Sequence, residues 1–143
     1  MKNLQLVCPP ITVRPVRDNL ATIHRGDVLV AEIDHVYVGY CLSHLGRDAS
    51  DPLFIQVVAV APEARGRGVG QALLGSAAER APLRDIALAT RDDNVAARAM
   101  NERFAESLDA SIRRVPLTTF RLRDLGISRG LGYRAWEIRR PAR

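Results

Sequence analysis

Cysteine is scarce in this chain: there are two among 143 residues, Cys8 and Cys41. Thiols so few and so far apart exclude a disulfide framework or a cysteine-built metal site. No metal is expected, and both read as reduced apolar residues. Long apolar runs are missing as well. No stretch approaches the roughly 20 residues that cross a bilayer. The opening MKNLQLVCPPITV has one lysine and an apolar segment cut by Pro9 and Pro10, so it does not read as a secretory leader. No membrane partner is expected, and the default location is cytoplasmic. There is no internal repeat and no linker. What remains, 47% apolar and 26% charged, is the composition of a globular protein rather than a disordered one. Residues 1–143 read as a single domain with its own core.

Lysine is nearly absent, Lys2 standing alone among 21 basic residues. The net charge of +5 is unevenly spread. Residues 113–143 hold nine arginines against Asp124 and Glu137, a net +7, which leaves −2 for the rest. With Phe120, Tyr133 and Trp136 interleaved, this tail raises the question of nucleic-acid binding. Trp136 and Ile138 alternate with charges as on a strand with one buried face and solvated arginines, so nucleic acid is not the expected partner.

Along the chain, ITVRPVR (11–17) alternates like a short strand, and Asp18 can cap a small helix reaching His24 before Gly26. DVLVAEID and VYVGYCLS predict two strands meeting in a hairpin near Asp34 and His35. HLGRDASDP is a polar loop. PLFIQVVAVAP is a nearly continuous β-branched run, as expected of a central strand covered on both faces. Good helix formers run from Gly68 to Ala81, with Val69, Leu73 and Ala77 on one side and Pro82 as the stop. DIALAT is the next buried strand. Asn94 opens a helix whose stripe is Ala97, Met100, Phe104 and Leu108. Pro116 begins a further helix that ends near Gly126, and GYRAWEIRR closes the chain as a strand. Strands precede an alternation of helices and strands, which predicts an α/β (α+β) fold with a mixed sheet covered by helices.

The densest signal is VAVAPEARGRGVGQALL (58–74). Glycines at 66, 68 and 70 let backbone approach a ligand closely, because no Cβ intervenes. A helix starts here, so its unpaired N–H groups and positive dipole end face whatever fills the turn. Arg65 and Arg67 add fixed charge. The sum is a cradle for phosphate or diphosphate. It is not a P-loop, since no Gly-Lys-Ser/Thr follows, nor a dinucleotide fingerprint, since Gln71 stands where the third glycine would fall.

In that setting Arg65, Gly68 and Gly70 match the Arg/Gln-x-x-Gly-x-Gly/Ala signature of the GNAT family of N-acetyltransferases, which the chain resembles from about Ile11 to Phe104. The resemblance implies a mostly antiparallel sheet whose fourth and fifth strands splay apart around the pantetheine arm of acetyl-coenzyme A. Main-chain groups of Val58 and Val60 would hold that arm. Backbone of Arg65, Gly66, Arg67, Gly68, Val69, Gly70 and Gln71 would take the diphosphate. Asn94 matches a family asparagine that contacts the cofactor arm, besides serving as a helix cap.

Three departures stand out. Position 101, where the family often has a tyrosine that protonates the leaving thiolate, is Asn101, which cannot transfer a proton usefully. Tyr133, Tyr40 or Tyr37 could substitute. The fourth strand, which often carries a general base, has Gln56 as its one polar side chain. Gln56 can orient an amine or a water but cannot take a proton, and Glu32, Asp34, His44 and Asp51 are the other candidates. Finally, residues 18–26 allow at most one small helix where the family commonly has two, and the stretch after Leu108 is unusual, with Gly132-Tyr133 as a delayed counterpart of a family Gly-Phe. The acceptor side therefore reads as remodelled.

The expected reaction is direct attack of a primary amine, on a small molecule or a peptide, on acetyl-coenzyme A in a ternary complex. A backbone N–H near Val58 would meet the oxyanion. Gln56, Asn101 and Tyr133 are the candidate catalytic residues. Both cysteines lie far in sequence from these elements, so no acetyl-cysteine step is expected. The alternative is a non-catalytic acyl-coenzyme-A-binding or sensing module. A homodimer is expected from the resemblance alone.

Overall fold

A computed structural model describes residues 28–142, together with Asn3, Gln5, Arg17 and Leu20 singly. The expected first strand, the Asp18 cap and Cys8 lie outside the described residues, except that Arg17 is helical, so the strand does not reach it. Six strands are hydrogen-bonded in the order β1-β2-β3-β4-β6-β5, and all neighbours with a recorded register are antiparallel except the β3–β4 pair. The chain gathers into two compact units, residues 1–43 with 57–77 and residues 44–56 with 78–143.

In the first unit, β1 (Val28–Ile33) turns directly into β2 (Val36–Leu45). Asp34 and His35 make the two-residue turn at φ 49° and 64°. Positive φ at both positions matches the twist of an antiparallel hairpin. Ala61 N–H donates to the Val38 carbonyl at 2.7 Å, anchoring the end of β3 (Leu53–Val60) to β2. Tyr40, Leu42 and Ala59 form the core, with Val28, Val57 and Ala61 around them. The helix α1 (Val69–Glu79) buries the expected stripe of Val69, Leu73 and Ala77, joined by Leu74. It lies close because Gly39 has no side chain: a Cβ there would meet the Ala59 carbonyl oxygen at 2.7 Å and Leu73 at 3.3 Å.

In the second unit the start of β3 pairs in parallel with β4 (Ile86–Arg91), with the register running over Leu53–Ile55 against Ile86–Leu88. After α2 (Val95–Ser107), β5 (Ser111–Val115) and β6 (Tyr133–Arg139) complete the sheet. Phe54, Ala87, Val115, Leu125 and Ala135 are its core on one side. The sequence reading misses β5, because its arginines hide the alternation. Arg113 faces Glu137 in register and donates to it at 2.7 Å, a cross-strand pair that is visible only once its partner is known.

The helix expected from Pro116 to Gly126 is two short pieces instead: a 3-10 turn over Leu117–Thr119, then α3 (Leu122–Leu125). Phe120 between them is extended, at φ −126°. Gly126, at φ 70°, ends α3, with Ile127 N–H returning to the Leu122 carbonyl at 3.1 Å. That is the six-to-one bond of a Schellman stop.

Candidate active site

The glycine-arginine turn belongs to the first unit. After β3, Pro62–Ala64 form one 3-10 turn, and Arg65, Gly66, Arg67 and Gly68 follow, all exposed. Gly66 and Gly68 sit at φ 73° and 79°, a region that side chains disfavour. A Cβ on either would meet nothing within 4 Å. Glycine is therefore required here by backbone shape and not by protein packing, and the space over the turn is open. α1 begins at Val69, and its first recorded lead-in bond is Ala72 N–H to the Gly68 carbonyl at 3.0 Å. The earlier first-turn amides have no acceptor within an α-helix. No acidic residue occupies that first turn, so nothing opposes an anion at the positive end of the dipole. These features fit a diphosphate.

Arg65 folds back so that its Nε donates to the Val60 carbonyl at 3.2 Å. The contact fixes the stem of the side chain and engages one of the main-chain groups expected to meet the pantetheine arm. Val58 and Val60 are half-buried on β3, as is Gln71 on α1.

The second unit holds the other predicted site residues. Asn94 caps α2, its Oδ1 accepting from Ala97 N–H at 3.1 Å. Asn101 is buried on α2 beside Phe104 and Ala105 on that helix's inner face. Tyr133 is half-buried at the start of β6, in register with Arg91. Gln56 reaches α3: its Nε2 donates to the Arg123 and Asp124 carbonyls, each at 3.1 Å. Both of its amide hydrogens are thus used inside the protein, and only Oε1 remains for another partner.

Among the other candidate bases, Glu32 and His35 face each other at 3.9 Å on the exposed hairpin, next to Asp34. Asp51 closes its own loop through Asp48 N–H at 3.0 Å. His44 differs from these. Its Nε2 is 3.4 Å from Asp124 Oδ1, its ring stacks on Phe54 at 5.0 Å and 20°, and Phe120 stands edge-on to Phe54. Sequence reasoning has no role for Asp124, because it lies in the stretch whose path the sequence does not settle.

Cys41 is fully buried, and loss of solvation pushes its thiol up to about 12. It stays protonated at neutral pH and offers no thiolate for acyl transfer. Of the nine tail arginines, five are tied to partners within the fold. Arg113 and Arg139 meet Glu137, Arg121 meets Asp124, Arg134 meets Asp92 at 2.7 Å, and Arg140 donates to the Ala81 carbonyl at 2.8 Å. Among the described residues no helix is long and apolar enough to cross a membrane.

The family model described as the acetyltransferase (GNAT) family matches residues 3–105. The chain belongs to the GNAT family. Over 95 residues, GNAT membership is echoed by 38% identity to an L-2,4-diaminobutyric acid acetyltransferase of Nocardia farcinica (strain IFM 10152). That stretch is 64% of this chain and 49% of the relative, so the match spans about half of the relative's length. A diaminobutyrate acetyltransferase of Paenibacillus lautus, solved with L-2,4-diaminobutyric acid and coenzyme A, superposes with a TM-score of 0.64 at 20% identity, over 81% of this chain and 71% of that one. Arabidopsis thaliana Naa50, solved with the bisubstrate analogue CoA-Ac-MVNAL, gives 0.69 at 17% identity, over 95% and 87%. At these identities the likeness establishes the GNAT fold, a mixed and mostly antiparallel sheet flanked by helices.

Proposed function

We propose that the chain is an N-acetyltransferase that moves an acetyl group from acetyl-coenzyme A to a primary amine by direct attack in a ternary complex. One observation carries the reading: the open, exposed bend at Arg65–Gly68, with two glycines at positive φ, leads into an acid-free helix start. Amides of Gly66 to Gly70 take the diphosphate, with Arg65 and Arg67 supplying charge and Gln71 lining the first turn. Main chain at Val58 and Val60 aligns the pantetheine arm, and Asn94 contacts it. The amine nitrogen attacks the thioester carbonyl, the C–N bond forms as the C–S bond breaks, and a proton goes to the departing sulfur. The Val58 N–H meets the oxyanion, and holding both reactants together supplies much of the rate. Gln56 orients the nucleophile through its free Oε1, while Asn101 and Tyr133 border the leaving group, Tyr133 alone being able to donate a proton.

The acceptor is a small amine or a peptide amine. The diaminobutyrate acetyltransferases among the relatives favour an amino acid with a second amine, and the bisubstrate complex of Naa50 keeps peptides in view. A homodimer is the expected assembly.

Calorimetry with acetyl-coenzyme A tests the cradle. Arg65→Ala should weaken binding by ~10-fold or more and Gly68→Asp by ~100-fold, the scale of a lost charged hydrogen bond and of an inserted like charge. Unchanged affinity in either variant rejects it. The buried Asn101 and the engaged Gln56 favour a second reading, a non-catalytic acyl-coenzyme-A-binding module. Tight binding with no thiol release across diamines, amino acids and peptides would select that one.

A further inference from the structure

We infer that His44, held by Asp124, is the proton acceptor that prepares the amine, with Asp124 as its positioning residue; this rests on the acetyl-transfer reading above. β3 carries no carboxylate, and Gln56 cannot accept a proton. His44 lies on the neighbouring strand β2, and its ring is fixed from several sides. Asp124 Oδ1 sits 3.4 Å from Nε2, and Phe54 stacks flat against the ring at 5.0 Å. Phe120 meets Phe54 edge-on at 5.5 Å. Asp124 is itself fixed, because Arg121 Nε holds its Oδ2 at 3.2 Å. Its helix is fastened by Gln56 through the carbonyls of Arg123 and Asp124. The charged groups recorded against the ring are Asp124 and, through it, Arg121; the facing strand presents Phe54, which has no charge.

A carboxylate on one ring nitrogen holds the proton there and leaves a lone pair on the other. By that rule Asp124, 3.4 Å from Nε2, assigns the proton to Nε2 and the base to Nδ1. The side chains of His44 and Asp124 are 26% and 22% exposed, so the pair is fixed yet reachable from outside. Phe54 and Gln56 share one face of β3 by strand alternation. The dyad therefore stands against the strand face that also carries Gln56, the side chain proposed to orient the nucleophile.

The protons balance. An acceptor ammonium gives one proton to Nδ1 and becomes the neutral nucleophile. Attack forms C–N, the C–S bond breaks, and the second nitrogen proton leaves with the thiolate sulfur as the free thiol. The imidazolium then returns its proton to water, so each turnover releases one proton.

The test combines two measurements on the full chain. Nitrogen NMR of the wild-type protein without acceptor should place the proton of the neutral His44 ring on Nε2 and leave Nδ1 bare, and Asp124→Asn should change that pattern. A pattern identical in both overturns the dyad. Steady-state acetylation of primary amines of graded basicity is the second measurement. His44→Gln should keep acetyl-coenzyme-A affinity, lower kcat/KM by ~10²-fold or more and remove one group from the acid limb of its pH profile. Asp124→Asn should move both in the same direction. The loss should shrink as the amine becomes less basic, which a purely structural defect would not produce. A His44→Gln enzyme that keeps the acid limb, or loses the same factor on every amine, overturns the inference while the transfer reading stands. A wild-type protein that binds acetyl-coenzyme A but acetylates no amine overturns the transfer reading and the role of His44 with it, leaving the NMR result to score the dyad alone.

Discussion

The two units use polar groups in opposite ways. In the first, the core is built mostly of apolar side chains, Tyr40, Cys41, Leu42 and Ala59 among them, and the proposed diphosphate cradle lies outside it on bare backbone at Gly66 and Gly68. In the second, polar side chains run inward as ties between distant segments. Gln56 holds α3, Trp136 Nε1 donates to Thr90 Oγ1 at 2.9 Å, and Arg140 reaches the Ala78 and Ala81 carbonyls. A ligand site made of main chain needs only the right curvature, whereas one made of side chains needs its whole support to be assembled first.

Three measurements can break or sharpen that contrast. The largest effect is expected in alkali. The Cys41 thiol ionises near 9 when unfolded and near 12 when folded, so the folded state binds the extra proton between those values. Stability is then full below pH 9 and falls as pH rises from about 9 to about 12, by a few kcal/mol at most. Denaturant melts of Cys41→Ala should show a flatter alkaline limb than wild type; parallel curves would mean that the first unit's core is not as dry as its burial indicates. Next, Gln56→Ala removes two hydrogen bonds to helix carbonyls and should cost about 1–3 kcal/mol. The loss should appear first as faster amide exchange over residues 117–127; uniform exchange across the chain would deny Gln56 its role as a local tie. The smallest effect falls on Asn94→Ala, which loses the α2 cap and about 1 kcal/mol. Thermal melts at matched acetyl-coenzyme-A concentrations read it. A ligand-dependent loss larger than the ligand-free one would add the proposed contact with the cofactor arm to the cap.

The same contrast explains what could be read from residues alone. The hairpin at Asp34-His35, the helix behind the glycine turn and the Asn94 cap are local, each written within a few neighbouring positions, and the structure places them where expected. The GNAT assignment follows from one such local stretch. The arrangement after Leu108 is not local. Whether SIRRV is a strand depends on Glu137 lying opposite Arg113, and whether 116–126 is one helix depends on Phe54 taking the Phe120 ring. His44 meets Asp124 across 80 positions of chain, a separation that no periodicity reports. The remodelled acceptor side remains an expectation drawn from missing residues, and the pairing of His44 with Asp124 enters only through that folding.

Gly126 gives the loop after α3 a fixed rivet. A Cβ there would come within 2.9 Å of Gln56 Cβ, so the smallest residue is needed where loop and strand are fastened, while Thr118, Ser128, Arg129 and Gly130 stand exposed around it. Grafting loops from other members of the GNAT family onto this frame should therefore succeed when they preserve that single glycine in register, however freely the surrounding letters change.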